Sequence, residues 1–170
     1  LKSEQSRKKN RADILALHVR ESQTSFIETA EECLQDAEDC RHYQPAGLYV
    51  NGELVGFSMY GWFPEYDEEN ENGRVWLDRF FIDERYQGRG LGKLLLDALI
   101  RHLVRIYDCR RIYLSLFEDN VHALRLYQKF GFLFNGGAGL KRGKSDGERA
   151  VNPLYKSDSA SCQYIKFEVT

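Results

Sequence analysis

The residue order predicts an α/β protein: a central mixed sheet with helices on both faces. Three observations carry that reading. Segments patterned as two helices, three strands, a helix, a strand, a helix and two strands follow one another along the chain. Asn51-Gly52 sits between two apolar runs and marks a tight hairpin. A glycine-rich segment joins a strand to a long amphipathic helix. With 170 residues and neither repeat nor low-complexity linker, the chain fits one domain over residues 1–170.

Each element has its own signal. Asn10 is a candidate N-cap, and Ile14, Leu15, Leu17 and His18 fall at helical spacing, predicting a helix over residues 11–21 after a poorly structured stretch 1–10. Thr29-Ala30-Glu31-Glu32 has the spacing of a capping box and opens a second helix reaching about Asp39. Residues 47–50 and 54–60 form the hairpin strands, followed by a polar loop from Trp62 to Gly73 and a long strand over 74–83. Leu91, Leu94, Leu95, Ala98, Leu99, Leu103 and Ile106 form the stripe of a helix ending near Tyr107. A strand at 111–117 precedes a helix at 120–130, stopped by Gly131. Residues 132–135 and 164–169 close the sheet. Between them, 136–161 is long for a compact domain, hence functional or mobile.

Composition narrows the function classes. A net charge of −2 sets up no field to attract a polyanion, so nucleic acid is not an expected partner. No apolar run is long enough to cross a bilayer, and the polar, basic start LKSEQSRKKNR carries no signal-peptide core. Cys33, Cys40, Cys109 and Cys162 make no CxxC pair, and His18, His42, His102 and His122 are dispersed. The expectation is a cytoplasmic protein without a metal site.

The segment Gln87-Gly88-Arg89-Gly90-Leu91-Gly92-Lys93 is built for an anion. Glycines let backbone approach a ligand without a Cβ in the way. A helix start leaves N–H groups unpaired and carries partial positive charge, to which Arg89 and Lys93 add. The segment lacks the Gly-Lys-Ser/Thr ending of a Walker A loop, and no clean βαβ unit surrounds it as a dinucleotide fingerprint requires. A helix cap with glycine for close packing is the alternative.

The stretch Phe80-Phe81-Ile82-Asp83-Glu84-Arg85-Tyr86-Gln87-Gly88-Arg89-Gly90-Leu91-Gly92 resembles the acetyl-CoA signature of the GNAT acetyltransferase superfamily. Asn120-Val121-His122-Ala123-Leu124-Arg125-Leu126-Tyr127-Gln128-Lys129-Phe130-Gly131-Phe132 resembles its second signature, in the expected order and distance. The resemblance spans roughly residues 10 to 135. It implies a mostly antiparallel sheet splayed between the strands near Ile82 and Leu116. Acetyl-CoA would be the co-substrate, with no metal. Backbone groups of Phe81 and Ile82 would pair with the pantetheine arm, Gln87 and the amides from Gly88 to Lys93 would hold the pyrophosphate, and Asn120 would steady the pantetheine from the other side. A homodimer is expected by the same analogy.

Acetyl transfer to an amine needs a neutral nucleophile, a stabilised oxyanion and a proton for the leaving thiolate. Asn120 and Tyr127 are seven residues apart and share one helix face. The resemblance makes Tyr127 the general acid; a tyrosine that merely closes the helix against the sheet is the alternative. For the base, Asp78 is the candidate on the central strand, where alternation places it on the face of Phe80 and Ile82 unless a bulge intervenes. A structural ion pair with Arg79 or Arg74 is its alternative.

Within the superfamily the chain is most similar to bacterial polyamine acetyltransferases of the spermine/spermidine type, through residues 55–67 and 73–82. The resemblance implies a polyamine as acceptor and adds Trp76 and Glu28, with Phe26, to the acceptor groove. Independently, Glu65, Asp67, Glu68, Glu69 and Glu71 crowd one loop beside Tyr66 and Trp62. Such a patch attracts cations while an aromatic covers methylene spacers, although charge runs are also found as plain solvated loops. Two features depart from the family: little strand character in residues 1–10, and the length of 136–161. The remaining readings are an acetyltransferase for another amine (aminoglycoside, amino acid or protein N-terminus) and a non-catalytic CoA-binding domain. Tyr127 argues against the last.

Overall fold

A computed structural model of the chain describes residues 4–64, 73–117, 119–134 and 162–168. The first helix, α1, runs over Glu4–Leu15, earlier than its apolar spacing predicts, so most of the stretch expected to lack structure is helical. Its sequence explains this: Glu, Gln, Arg and Lys favour helix strongly even without an apolar stripe. Beyond Leu15 the chain leaves the helix, buries Leu17 and makes a 3-10 turn at Glu21–Gln23. Helix α2, Ala30–Asp39, starts as expected, with the Thr29 hydroxyl accepting from the Glu32 N–H and the Glu32 carboxylate accepting from the Thr29 N–H.

Strands β1 (Tyr43–Val50) and β2 (Glu53–Phe63) meet at Asn51-Gly52, whose φ values of 50° and 83° fit the positive-φ turn that the dipeptide predicts. Both strands are longer than expected. Pro45 is tolerated because β1 lies at the edge of the sheet, where one row of N–H groups needs no partner. Strand β3, Arg74–Ile82, stops before Asp83, which caps a 3-10 turn at Glu84–Tyr86. Helix α3 covers Leu91–Tyr107, β4 Arg111–Phe117 and α4 Val121–Lys129; the short β5 (Leu133–Phe134) and β6 (Cys162–Glu168) complete the sheet.

The sheet order is β1-β2-β3-β4-β6-β5. All neighbours are antiparallel except β3 and β4, giving the mixed, mostly antiparallel sheet that was expected. The α1 and α2 side buries Ile14, Leu17, Ala30, Cys33 and Leu34 against Tyr43, Phe57, Met59, Phe63 and Phe81. The α3 and α4 side buries Leu96, Leu99, Leu103 and Tyr127 against Val75, Leu77, Ile112 and Leu114. The stripe of α3 differs in part from its prediction. Leu96 and Ile100 are buried, whereas Leu94 and Ile106 are exposed. A leucine-rich helix offers two adjacent apolar faces, and only packing against the sheet chooses between them.

Two irregularities shape the centre. The parallel pairing of β3 with β4 is confined to Val75–Ile112 and Trp76–Tyr113, so beyond those pairs the strands part. In the β2–β3 ladder Met59 faces Arg79 but Tyr60 faces Leu77, leaving Asp78 as an extra residue in a β-bulge. The bulge reverses the parity of β3: Leu77 and Phe80 both pack toward α3. Asp78 therefore does not share the face of Phe80 and Ile82, as alternation alone had it. It lies on the opposite face, with Tyr43 and Arg79.

Candidate active site

The site is assembled where β3 and β4 diverge. At its head, Gly88 and Gly90 both adopt φ of 77°, the left-handed region that favours glycine. A Cβ at either would meet nothing within 4 Å, so both glycines border open space. Gly90 is the N-cap of α3 and offers no side-chain cap. The first bond into the helix is Leu94 N–H to Gly90 C=O at 3.4 Å, which leaves the amides of Leu91, Gly92 and Lys93 without a helical partner. Lys93 and Arg89 are exposed, with Arg89 over the Tyr86 ring at 5.7 Å. Such a turn has the donors and the room for a diphosphate.

Gln87 does something different from what its place in the motif suggests. Its Nε2 donates to Ile82 C=O and to Gln23 Oε1, both at 2.8 Å, so it clamps the turn to the end of β3 and to the loop after α1. Asp83, unremarked in the sequence, is fully buried and reinforces the same junction. It accepts from the backbone N–H of His18 at 3.1 Å and from the N–H and guanidinium of Arg85. Burial pushes its carboxyl up, but these hydrogen bonds outweigh burial and hold it below the usual range. A second bond, Glu84 N–H to His18 C=O at 2.9 Å, fastens the two segments together. The His18 ring bonds Glu84 at 3.0 Å, and its pKa is raised, first by the Ala16 carbonyl and then by Glu84.

The strand edge is also specific. Asp83 N–H bonds Val55 C=O, so antiparallel alternation turns the peptide groups of Phe80 and Ile82 toward the opening and those of Phe81 toward β2. Phe81 thus borders the site with its ring rather than with its backbone, contrary to the β-like pairing expected of it. The Ile82 C=O is already taken by Gln87. A Cβ placed on Gly92 would lie 3.8 Å from Ile82 and 3.9 Å from Leu126, so the glycine turn, the end of β3 and helix α4 converge.

On α4, Asn120 is the N-cap: its Oδ1 accepts from the Ala123 N–H at 3.2 Å, leaving its NH₂ group for other partners. Tyr127 is buried, its ring edge-on to Phe132 with centroids 5.4 Å apart. Burial pushes its hydroxyl pKa up, and it stays protonated.

Beside the strand opening lies a cleft of about 330 Å³, bounded by residues 17–19 and 24–30 with Glu32, Phe81 and Phe117. Phe26 and Phe117 face each other across it with centroids 6.3 Å apart. Glu28, expected in the acceptor wall, lines this cleft. Its Oε2 is 2.7 Å from Nε of Arg79, a buried residue that also pairs with Asp78 and reaches Asp36 at 3.6 Å. Asp78 and Asp36 are both raised by burial, with Arg79 pulling the other way. Asp78 is thus ion-paired away from the cleft, the alternative its sequence position had left open. Trp76 packs beside Tyr113, centroids 5.8 Å apart, where β3 and β4 still pair, and is not part of the cleft wall. Glu65, Tyr66, Asp67 and Glu68 lie outside the described residues, as does the segment 136–161. Arg79 was legible only as two adjacent charges, Asp78-Arg79, inside an apolar strand, which is itself a bulge signal.

The family model for acetyltransferases of the GNAT family matches residues 11–132. The chain belongs to the acetyltransferase (GNAT) family. Both stretches that resemble the family's signatures, residues 80–92 and 120–132, lie within that match. This acetyltransferase is 68% identical, over 127 residues, to the spermine/spermidine N(1)-acetyltransferase of Bacillus subtilis strain 168, a match covering 75% of the chain and 84% of that protein. A probable spermine N(1)-acetyltransferase of Bacillus subtilis subsp. natto is 66% identical over the same shares. Among solved structures, the GNAT fold is shared with the aminoglycoside acetyltransferase AAC(6')-Ib in complex with coenzyme A. That likeness has a TM-score of 0.64 at 18% identity and covers 99% of this chain and 92% of that one. A GNAT acetyltransferase from Elizabethkingia anophelis with acetyl-CoA bound follows at TM-score 0.58 and 15% identity, over 91% and 94% of the two chains.

Proposed function

We propose that this acetyltransferase moves the acetyl group of acetyl-CoA to a primary amine of a polyamine, spermidine or spermine, at the opening between β3 and β4. The observation that carries the acceptor reading is the cleft wall: the Glu28 carboxylate among the rings of Phe26, Phe81 and Phe117. A polyamine alternates ammonium groups with methylene spacers, and such a wall offers a carboxylate for the one and aromatic faces for the other. The 68% identity to a protein named for spermine and spermidine supports the same choice.

The geometry supports the following division of labour. The free amides of Leu91, Gly92 and Lys93, with Arg89, hold the diphosphate, and the peptide groups of Phe80 and Ile82 lie along the arm of acetyl-CoA. The acceptor nitrogen, as the neutral amine, attacks the thioester carbonyl and a C–N bond forms; the C–S bond breaks, the nitrogen releases one proton to solvent, and the departing sulfur takes one. Tyr127 supplies that proton, which its raised pKa keeps in place. Glu28 receives the acceptor's positive charge.

The test is thiol release from acetyl-CoA across spermine, spermidine, an aminoglycoside, an amino acid and a simple monoamine. Release with the two polyamines above all others is expected. Release only with the others removes the polyamine reading, and no release with any amine removes the enzymatic one.

A further inference from the structure

Arg79 is an odd residue to find in the middle of a sheet. It is 5% exposed, and its guanidinium meets three carboxylates from three separate segments: Asp78 in the bulge, Asp36 on α2 and Glu28 on the loop before α2. Only Glu28 among the three lines the cleft. The guanidinium spreads one always-present charge over a broad planar group that can face three carboxylates at once, and here it hydrogen-bonds Asp78 and ion-pairs with Glu28 and Asp36. With Asp78 in regular alternation Arg79 would share the face of Leu77, so the bulge is what turns Arg79 toward α2 and this contact.

Resting on the polyamine reading above, we propose that Arg79 is a positioning residue for acceptor choice: it holds the Glu28 carboxylate at one place on the cleft wall and so sets which spacing between ammonium groups is accepted. Glu28 stands on a loop, 40% exposed, and its ion pair is with the buried Arg79. Tied through Oε2, it is a fixed point against which a second ammonium is measured. Released, it is a mobile charge that still attracts cations but no longer distinguishes their spacing. Arg79 itself touches neither substrate.

The experiment is a double-mutant cycle on Glu28→Gln and Arg79→Lys, with KM for spermidine, for a diamine of different spacing and for acetyl-CoA, and with thermal unfolding of each variant. Glu28→Gln, at a half-exposed position, should fold normally and raise KM for spermidine about tenfold while kcat and KM for acetyl-CoA stay near wild type. Arg79→Lys should raise the same KM by a similar factor and reduce the preference between the two amines. The double variant should be no worse than either single one, because both remove the same contact. Additive effects would overturn the proposal, since Arg79 would then act by another route. So would a rise in KM for acetyl-CoA equal to that for spermidine, the mark of a general structural loss. If Arg79→Lys fails to fold, Glu28→Gln alone decides: unchanged amine preference overturns it. Failure of the polyamine reading is a separate result, seen as wild-type enzyme inactive on polyamines.

Discussion

The Nε atom of Arg79 lies 2.7 Å from Oε2 of Glu28, so a side chain buried in the sheet grips a carboxylate that lines the cleft. The β3 bulge and the acceptor wall are thereby a single structural unit. Its framework is the Thr29–Glu32 capping box immediately after Glu28, which fixes where α2 begins. Neither half alone places the charge.

That capping box gives the first prediction. Thr29→Ala removes the hydroxyl that accepts from the Glu32 N–H and should cost about 1 kcal/mol of stability. Glu32, whose carboxyl the backbone and hydroxyl of Thr29 hold below the usual range, should titrate nearer to an ordinary carboxylate in the variant. Denaturant unfolding and a pH titration of Glu32 by NMR check the two halves. An unchanged midpoint would show that the helix start is held by packing instead.

Tyr127→Phe separates chemistry from fold. Among the described residues nothing bonds the Tyr127 hydroxyl, and burial alone raises its pKa, so removing it should leave the melting temperature within error or slightly higher. The turnover number should fall by about 100-fold or more, with KM for acetyl-CoA unchanged. Steady-state kinetics and a melting curve on one preparation suffice. Full turnover in the variant would leave Tyr127 as a core residue only.

Gly90→Ala and Gly88→Ala test the diphosphate turn. Each places a Cβ in open space at positive φ, so the cost to the free protein is backbone strain of about 1 kcal/mol, not a clash. Gly52→Ala in the β1–β2 hairpin, also at positive φ and also open, carries the strain alone. All three should lose similar stability, but only the two loop variants should raise KM for acetyl-CoA. A Gly52→Ala variant with the same rise in KM would assign the effect to general destabilisation.

Asp83→Asn should reveal a pH-linked clamp. The folded-state pKa of Asp83 lies below its unfolded value, so its contribution is complete above the ordinary carboxylate range and disappears as pH falls through the folded value. At neutral pH the variant should lose about 1–3 kcal/mol, the cost of weakening hydrogen bonds to a buried charge. The gap from wild type should narrow as the pH is lowered. A gap independent of pH would mean that the carboxylate's charge contributes nothing to the clamp.

Much of the scaffold was legible in the sequence. Helix α3 from Leu91 to Tyr107, strand β4, the Thr29 cap, the Asn51-Gly52 turn and the Asn120 start of α4 all rest on signals within a few residues of each other. So do the two motifs that carry the family. The errors came where local pattern was ambiguous: a polar α1 without an apolar stripe, and a leucine-rich α3 with two apolar faces to choose from.

The order of elements, the glycine turn and the family can be read along the chain, because capping, turn chemistry and side-chain period are properties of neighbouring residues. Tertiary structure alone decided which charges meet. Whether Asp78 faces α3 or α2 depends on a bulge that forms only against β2, and whether Glu28 is a free surface acid or a fixed one depends on Arg79, 51 residues further along the chain. Coulomb attraction and desolvation act through space, and no periodicity along a chain records which distant partners the fold will bring within 3 Å.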